Sequence, residues 1–346
     1  MIEINGAQGE GGGQVLRTSL TLSALTGKPL YIHHIRAQRS RPGLRPQHLG
    51  AVRAIAKLTG AKVSGDTLNS PELTLTPAKL RTGRFRFDIP TAGSLTLLLQ
   101  TVYLPLSLAT GASEVTLTGG THVPWSPSYH YLEDQWLATL TACGFRASTT
   151  LLKAGFYPRG GGEVQVRILP AKDLRPFVGL VRGPLAQIRG VSGVANLSDE
   201  IAQRQKHQAL RRLSPLCRDT KIKTARLPSP GKGTFIQLSA HFSDGGRACY
   251  SALGARGKPA EQVADEAVDQ LLSFLATDGY IDQYLADQLL LPLMVINGAS
   301  TFSTSQVTPH LMTNAQVINQ YLPGRVRIDG APNEPGRVHV SGGLLR

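Results

Sequence analysis

The fold prediction starts from the stretch Leu20-Thr-Leu-Ser-Ala-Leu-Thr-Gly-Lys-Pro-Leu-Tyr-Ile-His-His-Ile35. Its first half has the apolar pattern of a helix, Gly27 marks a stop, and its second half is rich in strand-forming residues. The same order of helix, break and strand recurs at residues 97–117 and 285–307. Self-similarity of this kind is typical of repeated copies of one structural unit. The sequence therefore predicts three such copies.

A second helix and two strands follow each copy. The helices are predicted at residues 48–58, 131–141 and 314–321, each ended by glycine or by proline and glycine. The strand pairs are predicted at residues 62–63 and 73–76, at 146–152 and 163–169, and at 325–328 and 337–340. Strands and helices do not alternate singly, so a doubly wound sheet is disfavoured. We therefore predict an α/β (α+β) fold built from three βαβαββ-like units.

The spacing of the copies indicates an inserted domain. The first two copies begin at residues 20 and 97, which are 77 apart, whereas the third begins at 285, a further 188 along. The extra residues contain predicted strands at 187–194, 221–226 and 234–239, and predicted helices at 198–212, with Ser198 as N-cap, and at 259–275. We predict a large domain of residues 1–183 and 277–346 and a smaller α/β domain of residues 184–276.

Charge points to an anionic partner. The 346 residues carry a formal net charge of +14. Residues 12–64 contain no acidic side chain, although nine lysines and arginines lie among them. Surface segments of ordinary proteins mix both signs, so this stretch favours binding of a polyanion such as nucleic acid or nucleotide. Hydrophobic residues at 41% and charged residues at 17% exclude intrinsic disorder.

The sequence also predicts a cytoplasmic protein without a membrane span. Its three cysteines are an odd number and show no CxxC spacing, which argues against a disulfide framework and a thiolate zinc site. The first residues lack the basic region of a signal peptide. The longest apolar run, residues 289–296, is interrupted by Pro292 and is far shorter than the roughly 20 residues that cross a bilayer.

Two segments near the start of the chain are candidates for phosphate chemistry. Residues 6–17 form a glycine-rich turn ahead of the first helix, where backbone N–H groups can bind phosphate. Glu10 within it could bind Mg²⁺ or Mn²⁺, or be an ordinary solvated carboxylate. Residues 36–45 hold four arginines, whose planar guanidinium groups bind phosphate oxygens in pairs.

Two segments near the end of the chain are further candidates. His310 lies in a polar Thr-Pro-His-Leu-Met-Thr-Asn setting ahead of the last helix, which can orient one ring nitrogen and leave the other free. No Ser-His-Asp pattern or histidine cluster accompanies it, so a hydrolase triad or a zinc site is not supported. Tyr284 could stack on a base, and Asp287 and Gln288 could bind a ribose or a base edge. Alternatively, Tyr284 marks the edge of the core.

The chain resembles the RNA 3′-terminal phosphate cyclase family along nearly its whole length. The matching motifs are Asn5-Gly-Ala-Gln-Gly-Glu-Gly-Gly-Gly-Gln14, Arg41-Pro-Gly-Leu44, Gln47-His-Leu49, Ala92-Gly-Ser94, Leu97-Leu-Leu-Gln-Thr101, Gly119-Gly-Thr121, Gly155-Phe-Tyr-Pro-Arg-Gly-Gly-Gly162, Tyr284-Leu-Ala-Asp-Gln288 and Pro309-His-Leu-Met-Thr-Asn314. One position departs from the family pattern, because Ala154 stands where Arg or His usually precedes Gly155.

The resemblance implies an ATP-dependent enzyme that converts an RNA 3′-phosphate into a 2′,3′-cyclic phosphodiester through a covalent adenylate on His310 and an RNA-(3′)pp(5′)A intermediate. It implies that Glu10 holds a divalent metal, Mg²⁺ or Mn²⁺, and that Tyr250 of the insert contributes to the site. The implied nucleotide-binding residues are Arg17, Gln100, Pro127, Tyr284, Leu285, Ala286, Asp287 and Gln288, and the implied RNA-binding residues are Arg36, Arg39 and Gln47.

Three alternative functions fit parts of the sequence. A non-catalytic cyclase-like protein of ribosome assembly would lack the nucleophilic histidine, whereas His310 is present. An enolpyruvyl transferase shares the repeat architecture, but needs neither that histidine nor a strongly basic surface. A plain RNA-binding scaffold would be expected to expose many aromatic side chains, and aromatic residues make up only 6% of the chain. The sequence leaves open the physiological RNA, the preferred metal and nucleotide, and the oligomeric state.

Overall fold

The same four-stranded sheet occurs three times in residues 1–343, the part of the chain that this computed structural model describes. In each sheet the first and second strands are parallel and the other two neighbouring pairs are antiparallel. Numbered along the chain within each sheet, the strands lie in the spatial order 1-2-4-3 in all three sheets. The fold is therefore of the mixed α/β class that the sequence predicts. The strand order and the strand directions are the same in all three repeats.

The strands of the three repeats are short, and most alternate buried with exposed residues. Repeat one contains β1 (Ile2–Asn5), β2 (Leu30–His33), β3 (Lys62–Ser64) and β4 (Leu73–Thr76). Repeat two contains β5 (Arg84–Asp88), β6 (Ser113–Gly119), β7 (Arg146–Lys153) and β8 (Gly162–Leu169). Repeat three contains β9 (Val178–Gly179), β14 (Ala299–Thr304), β15 (Val326–Asp329) and β16 (Gly336–Ser341). This alternation turns one face of each sheet toward the core.

The helices of the repeats cover that face. They are α1 (Gly13–Thr26), α2 (Pro46–Thr59), α3 (Leu95–Ser107), α4 (Tyr129–Tyr131), α5 (Ala138–Ala142), α8 (Gln283–Val295) and α9 (Pro309–Tyr321). Helix α1 contacts α2, α3 and α9, so the repeats share one core. Gly27 and Gly60 end α1 and α2 in the left-handed conformation, which glycine adopts without strain.

A π-helical segment, Leu132–Leu137, joins α4 to α5. Such segments are rare and occur often at functional sites. Here Tyr131 and Gln135 both reach the side chain of Asp282, with donor-to-oxygen distances of 3.0 Å each. The distorted helix of repeat two therefore binds the N-terminus of α8 in repeat three.

A fourth sheet forms between repeats two and three. It contains β10 (Leu185–Ala195), β11 (Thr220–Arg226), β12 (Gly233–Phe242) and β13 (Arg247–Leu253), with α6 (Asp199–Leu213) and α7 (Ala260–Leu275) packed on it. Its spatial order is β11-β10-β12-β13, and it has a core of its own. The Ser198 hydroxyl accepts a hydrogen bond from the Glu200 N–H, which confirms the predicted N-cap. The predicted boundaries at 183/184 and 276/277 remain a prediction, and residues 344–346 of the predicted large domain lie outside the described residues.

Strand β13 is absent from the sequence prediction. Its sequence, Arg-Ala-Cys-Tyr-Ser-Ala-Leu, contains no β-branched residue and only one aromatic residue, Tyr250, so its local strand propensity is weak. Pairing with β12 supplies the stabilisation that the local sequence does not reveal. No helix within residues 1–343 has the length and apolar character that crossing a bilayer requires.

Arg182 connects the two ends of the inserted segment. Its guanidinium donates hydrogen bonds to the carbonyl oxygens of Gly279 at 2.6 Å and Leu275 at 3.0 Å, and also to that of Thr277. It also lies over the rings of Phe242 and Phe274, 5.2 and 4.6 Å from their centroids. A single side chain thus ties the entry into the segment to its exit.

We expect Arg182→Ala to lower the free energy of unfolding by about 1–3 kcal/mol, because three carbonyl groups lose a charged donor. Urea unfolding would measure this change. Arg175→Ala is the matched control, since that arginine is exposed, and it should change the value by less than about 0.5 kcal/mol. Equal effects of the two substitutions would contradict the proposed role of Arg182 in linking the segment ends.

Candidate active site

A cavity of about 850 Å³ lies where all three repeats and the inserted sheet meet. Helix α1 and the loop before it supply one wall, and α3 and the loop 123–128 supply a second. The starts of α8 and α9, strand β13 and helix α7 supply the others. The sequence-predicted residues that line it are Glu10, Arg17, Arg39, Gln100, Pro127, Tyr250, Tyr284, Asp287, Gln288 and His310.

His310 and Glu10 form a contact pair at this cavity. His310 Nε2 lies 2.8 Å from Glu10 Oε2, and the histidine side chain is 52% exposed. His310 is the second residue of α9, which begins at Pro309 and has Thr308 as a hydrogen-bonded N-cap. Burial lowers the pKa of His310, and the charges of Arg17 and Arg39 act in the same direction while Glu10 opposes them. The ring is therefore mainly neutral at pH 7, the form that has a free lone pair.

The glycine-rich loop brings Glu10 to that histidine. Gly9 has a φ of +56°, and a Cβ there would lie 2.2 Å from the hydroxyl oxygen of Thr313. Glycine thus allows the loop to lie directly on α9, where the Glu10 N–H donates to Thr313 Oγ1 at 3.2 Å. A glycine at this position therefore positions a carboxylate that is distant in sequence from His310.

Two arginines face the cavity beside this pair. Arg39 donates to the carbonyl oxygen of Glu10 at 2.9 Å, and Arg17 donates to the side chain of Gln14 at 3.1 Å. Gly12, the residue before α1, makes no side-chain cap, so N–H groups of the first turn remain available for an anion. This part of the cavity therefore presents the groups that proteins use to bind phosphate.

Asp287 and Arg17 interact electrostatically deeper in the site. Asp287 is only 8% exposed, and burial raises its pKa to about 7 although Arg17 counteracts the shift. Burial lowers the pKa of Arg17 to about 10, and Asp287 counteracts that shift. Desolvation therefore acts against the charged form of both partners, and each charge partly offsets the cost for the other.

A chain of hydrogen bonds connects α3 to α8. Gln100 Nε2 donates to Gln288 Oε1 at 2.5 Å, and Gln288 Nε2 donates to the carbonyl oxygen of Tyr284 at 2.6 Å. The inserted sheet joins this wall through Tyr250, whose hydroxyl donates to Gln283 Oε1 at 2.8 Å. The rings of Tyr250 and Tyr284 lie 6.1 Å apart in an edge-on arrangement. This wall thus combines aromatic rings with amide groups, the kinds of side chain that bind a nucleobase.

Four predicted site residues do not line the cavity. The side chains of Leu285 and Ala286 are 0% exposed and pack in the main core. Arg36 donates to the carbonyl oxygens of Arg41 and Gly43, so it stabilises its own loop. Gln47 accepts a hydrogen bond from the Ser94 N–H at 3.3 Å. The structure thus brings together ten of the predicted residues and leaves these four outside.

Comparison with known proteins identifies the family. Residues 8–328 match the family model described as "RNA 3'-terminal phosphate cyclase". The chain belongs to the RNA 3′-terminal phosphate cyclase family. It is 42% identical to the RNA 3'-terminal phosphate cyclase of Methanopyrus kandleri, with 98% of each chain covered. It is 41% identical to the protein of the same name from Thermococcus onnurineus, with 99% of each chain covered. For the Nostoc punctiforme protein of that name the identity is 40%, over 96% of this chain and 97% of the other.

The family model and the relatives' names show that this chain is an enzyme of the RNA 3′-terminal phosphate cyclase type. The comparisons give no support to a non-catalytic role in ribosome assembly.

Ala154, the position that departs from the family signature, is buried in a small hydrophobic cluster. Its side chain is fully buried against Phe156, Ala195 and Phe235, in a small core between repeat two and the inserted sheet. Its N–H donates to the carbonyl oxygen of Pro228 at 2.7 Å. A long basic side chain at this position would have to displace that packing, so alanine suits the way the insert docks in this cyclase.

Several residues that line the cavity were not predicted from the sequence as site residues. Trp125, Gln14, Thr18, Gln283 and Asn314 all line the cyclase cavity. Trp125 was detectable, because a large aromatic residue stands between Pro124 and Ser126-Pro127 in a loop and so has no helix or strand to pack in. Gln14 and Asn314 lie in two of the matching motifs, whereas nothing in the local sequence distinguishes the polar residues Thr18 and Gln283.

The raised pKa of Asp287 predicts how stability depends on pH. In the unfolded chain this carboxyl loses its proton near its ordinary pKa of 3.8, but in the folded cyclase only at about 7. Between those values the folded state binds more protons, so the free energy of unfolding falls as the pH rises. We expect the free energy of unfolding, measured with urea from about pH 4 to about pH 7, to fall less steeply with pH in Asp287→Asn than in the wild type.

Asp278→Asn, at an exposed position, is the control and should keep the wild-type slope. An Asp287→Asn slope as steep as that of the wild type would contradict the prediction. Asp282, whose pKa burial raises to about 6, adds a slope of the same sign in all three proteins.

Proposed function

We propose that this chain uses ATP to convert an RNA 3′-phosphate into a 2′,3′-cyclic phosphodiester, with His310 as the covalent nucleophile. The observation that carries the proposal is the neutral, accessible His310 ring held by Glu10 beside Arg17 and Arg39. The family's ATP-dependent chemistry supports it. RNA with a 3′-phosphate end and ATP are then the partners.

Chemistry explains why a covalent step is needed. A 3′-phosphate has no good leaving group, so a weak 2′-hydroxyl cannot displace an oxygen from it directly. A His310 nitrogen attacks the α-phosphorus of ATP, the new P–N bond forms, and the P–O bond to pyrophosphate breaks. An oxygen of the RNA 3′-phosphate then takes the adenylyl group and breaks the P–N bond. The 2′-hydroxyl finally attacks the activated 3′-phosphorus, loses its proton, and AMP leaves.

The residues around His310 fit these steps. Its lowered pKa keeps the lone pair free, and Glu10 can stabilise the positive charge that the ring gains when one nitrogen bonds to phosphorus. Arg17 and Arg39 can hold the phosphates that converge there. Gln100, Pro127, Tyr284, Asp287 and Gln288 line the part of the cavity in which we place the nucleoside of ATP.

We also propose that Glu10 contributes to a divalent-metal site, Mg²⁺ or Mn²⁺. Among the described residues no group of three or more His, Cys, Asp or Glu side chains is arranged to hold a metal ion. Mg²⁺ is commonly held by one or two carboxylates together with substrate phosphates, and a single carboxylate beside two arginines fits that mode. A bound ion would neutralise charge on the phosphates. The preferred metal is left to experiment.

Labelling tests the nucleophile. Purified protein incubated with α-³²P-ATP and Mg²⁺ or Mn²⁺, without RNA, should retain acid-labile label after denaturing electrophoresis, because a phosphoramidate is acid-labile. His310→Ala should lose the label completely. His339→Ala is the matched control, since His339 also lies 3.0 Å from a carboxylate, that of Asp329, but outside the cavity. Absence of label on folded wild-type protein that binds ATP would refute the covalent step.

Glu10→Gln tests the carboxylate separately. We expect its labelling rate to fall by about 10²–10⁴-fold, because it removes both the ring's partner and the metal ligand. Treatment with EDTA should abolish labelling of the wild type, and added Mg²⁺ or Mn²⁺ should restore it. If labelling persists after EDTA, the metal proposal is wrong, whereas a wild-type rate in Glu10→Gln would remove both roles of Glu10.

A further inference from the structure

Trp125 is the most exposed aromatic side chain of the described residues. Its relative exposure is 100%, whereas the other tryptophan, Trp136, is 2% exposed. It nevertheless lines the same cavity as His310, so its ring lies at the rim of the candidate active site. Neither the family signature nor the proposed steps assign it a role.

The loop that carries this ring is well anchored. Thr121, His122 and Val123 are buried, and the Ser126 hydroxyl donates to the carbonyl oxygen of Val123 at 3.1 Å. On the other side, Thr96 Oγ1 donates to the carbonyl oxygen of Pro127 at 2.8 Å. Prolines at 124 and 127 restrict the backbone further. The ring is therefore presented by a stiff loop.

Folding alone does not account for this arrangement. A tryptophan offers roughly 150–250 Å² of largely apolar surface, and here none of it is buried in the chain. Trp125 also has a φ of +62°, a left-handed conformation that is unusual for a bulky residue. Such conformations concentrate at ligand-binding sites. An outward-facing ring at a cavity rim fits a flat, apolar partner that comes from solvent.

The surrounding charges indicate which partner this is. Arg17 and Arg39 line the same cavity, so a ligand that satisfies the whole site carries phosphates and a flat ring. Single-stranded RNA ends have both, and proteins recognise their unstacked bases with aromatic side chains. The proposed function assigns the adenine of ATP to a different wall, that of Gln100, Tyr284 and Gln288.

We propose that Trp125 stacks on a nucleobase at the 3′ end of the RNA substrate and so positions its phosphate for adenylation. The proposal rests on the proposed function for its substrate. Stacking uses the face of the base, which all four bases share, so it gives affinity with little sequence preference. Trp125 is accordingly a positioning residue and takes no part in bond making.

Tryptophan fluorescence tests the contact without turnover. Without ATP, a short single-stranded RNA with a 3′-phosphate should quench the emission of the wild type, because its base covers the exposed indole. The same RNA with an abasic 3′-terminal nucleotide and an abasic neighbour should quench much less. Because Trp136 also lines the cavity, ATP alone should quench the wild type no more than it quenches Trp125→Phe. Trp125→Phe leaves only Trp136 and gives the background. Quenching by ATP alone that Trp125→Phe abolishes, or equal quenching by the abasic RNA, would overturn the proposal.

Variants separate the RNA contact from the chemistry. Trp125→Ala should raise the Kd for the 3′-phosphate RNA by about 5- to 100-fold, as expected for one lost stacking contact, and leave the rate of labelling by ATP unchanged. Trp125→Tyr should restore most of the affinity, whereas Trp125→Leu, which is apolar but not aromatic, should not. Leu216→Ala removes another exposed apolar side chain, in the inserted segment and outside the cavity, and should have no effect.

The outcomes distinguish this inference from the proposed function. Loss of ATP labelling in the wild type would refute the covalent mechanism, whereas RNA binding and its quenching would still report on Trp125. An unchanged Kd for RNA in Trp125→Ala, with normal labelling, would refute the stacking proposal alone. In that case an exposed contact to another protein would be the remaining explanation for the ring.

Discussion

The buried carboxylate of Asp282 holds the walls of the cavity together. It is 0% exposed and accepts hydrogen bonds from the N–H groups of Tyr284 and Leu285 at the start of α8. Tyr131 and Gln135 of repeat two donate to its two oxygens. A buried carboxylate is tolerated only when it is this fully hydrogen-bonded, so the arrangement defines where α8 begins. The start of α8 in turn sets where Tyr284, Asp287 and Gln288 lie along the cavity wall.

A second set of hydrogen bonds joins repeat one to repeat three. The Thr18 hydroxyl donates to Asn314 Oδ1 at 2.6 Å, and Asn314 Nδ2 donates to the carbonyl oxygen of Asp287 at 2.7 Å. The helices α1, α8 and α9 are thereby tied at the point where Glu10 meets His310. The repeat architecture thus has a functional consequence, because each copy supplies a different part of one site.

Burial of charge gives this site its chemical character. Asp287 is buried and Arg17 is half-buried, and each lowers the cost of the other's charge. Burial lowers the pKa of His310 against the opposing charge of Glu10, and Arg17 and Arg39 add smaller shifts in the same direction as burial, which favours the nucleophilic form. Burial is therefore the main reason that the histidine is neutral, and the arginines that bind phosphate add to that effect.

Local sequence determined the repeated elements, because the apolar helix, the glycine break and the strand at residues 20–35 depend on neighbouring residues only. It also marked Glu10 and His310, whose glycine-rich and polar settings are unusual in themselves. Only the tertiary structure decided that those two touch, that Leu285 and Ala286 turn into the core, and that Arg36 and Gln47 lie outside the cavity. It alone showed the pairing of β13 with β12 and placed the ring of Trp125, a loop residue that the sequence could have marked, at the rim of the cavity. These features depend on pairing and packing between segments far apart in the chain, for which no single stretch of sequence carries a signal.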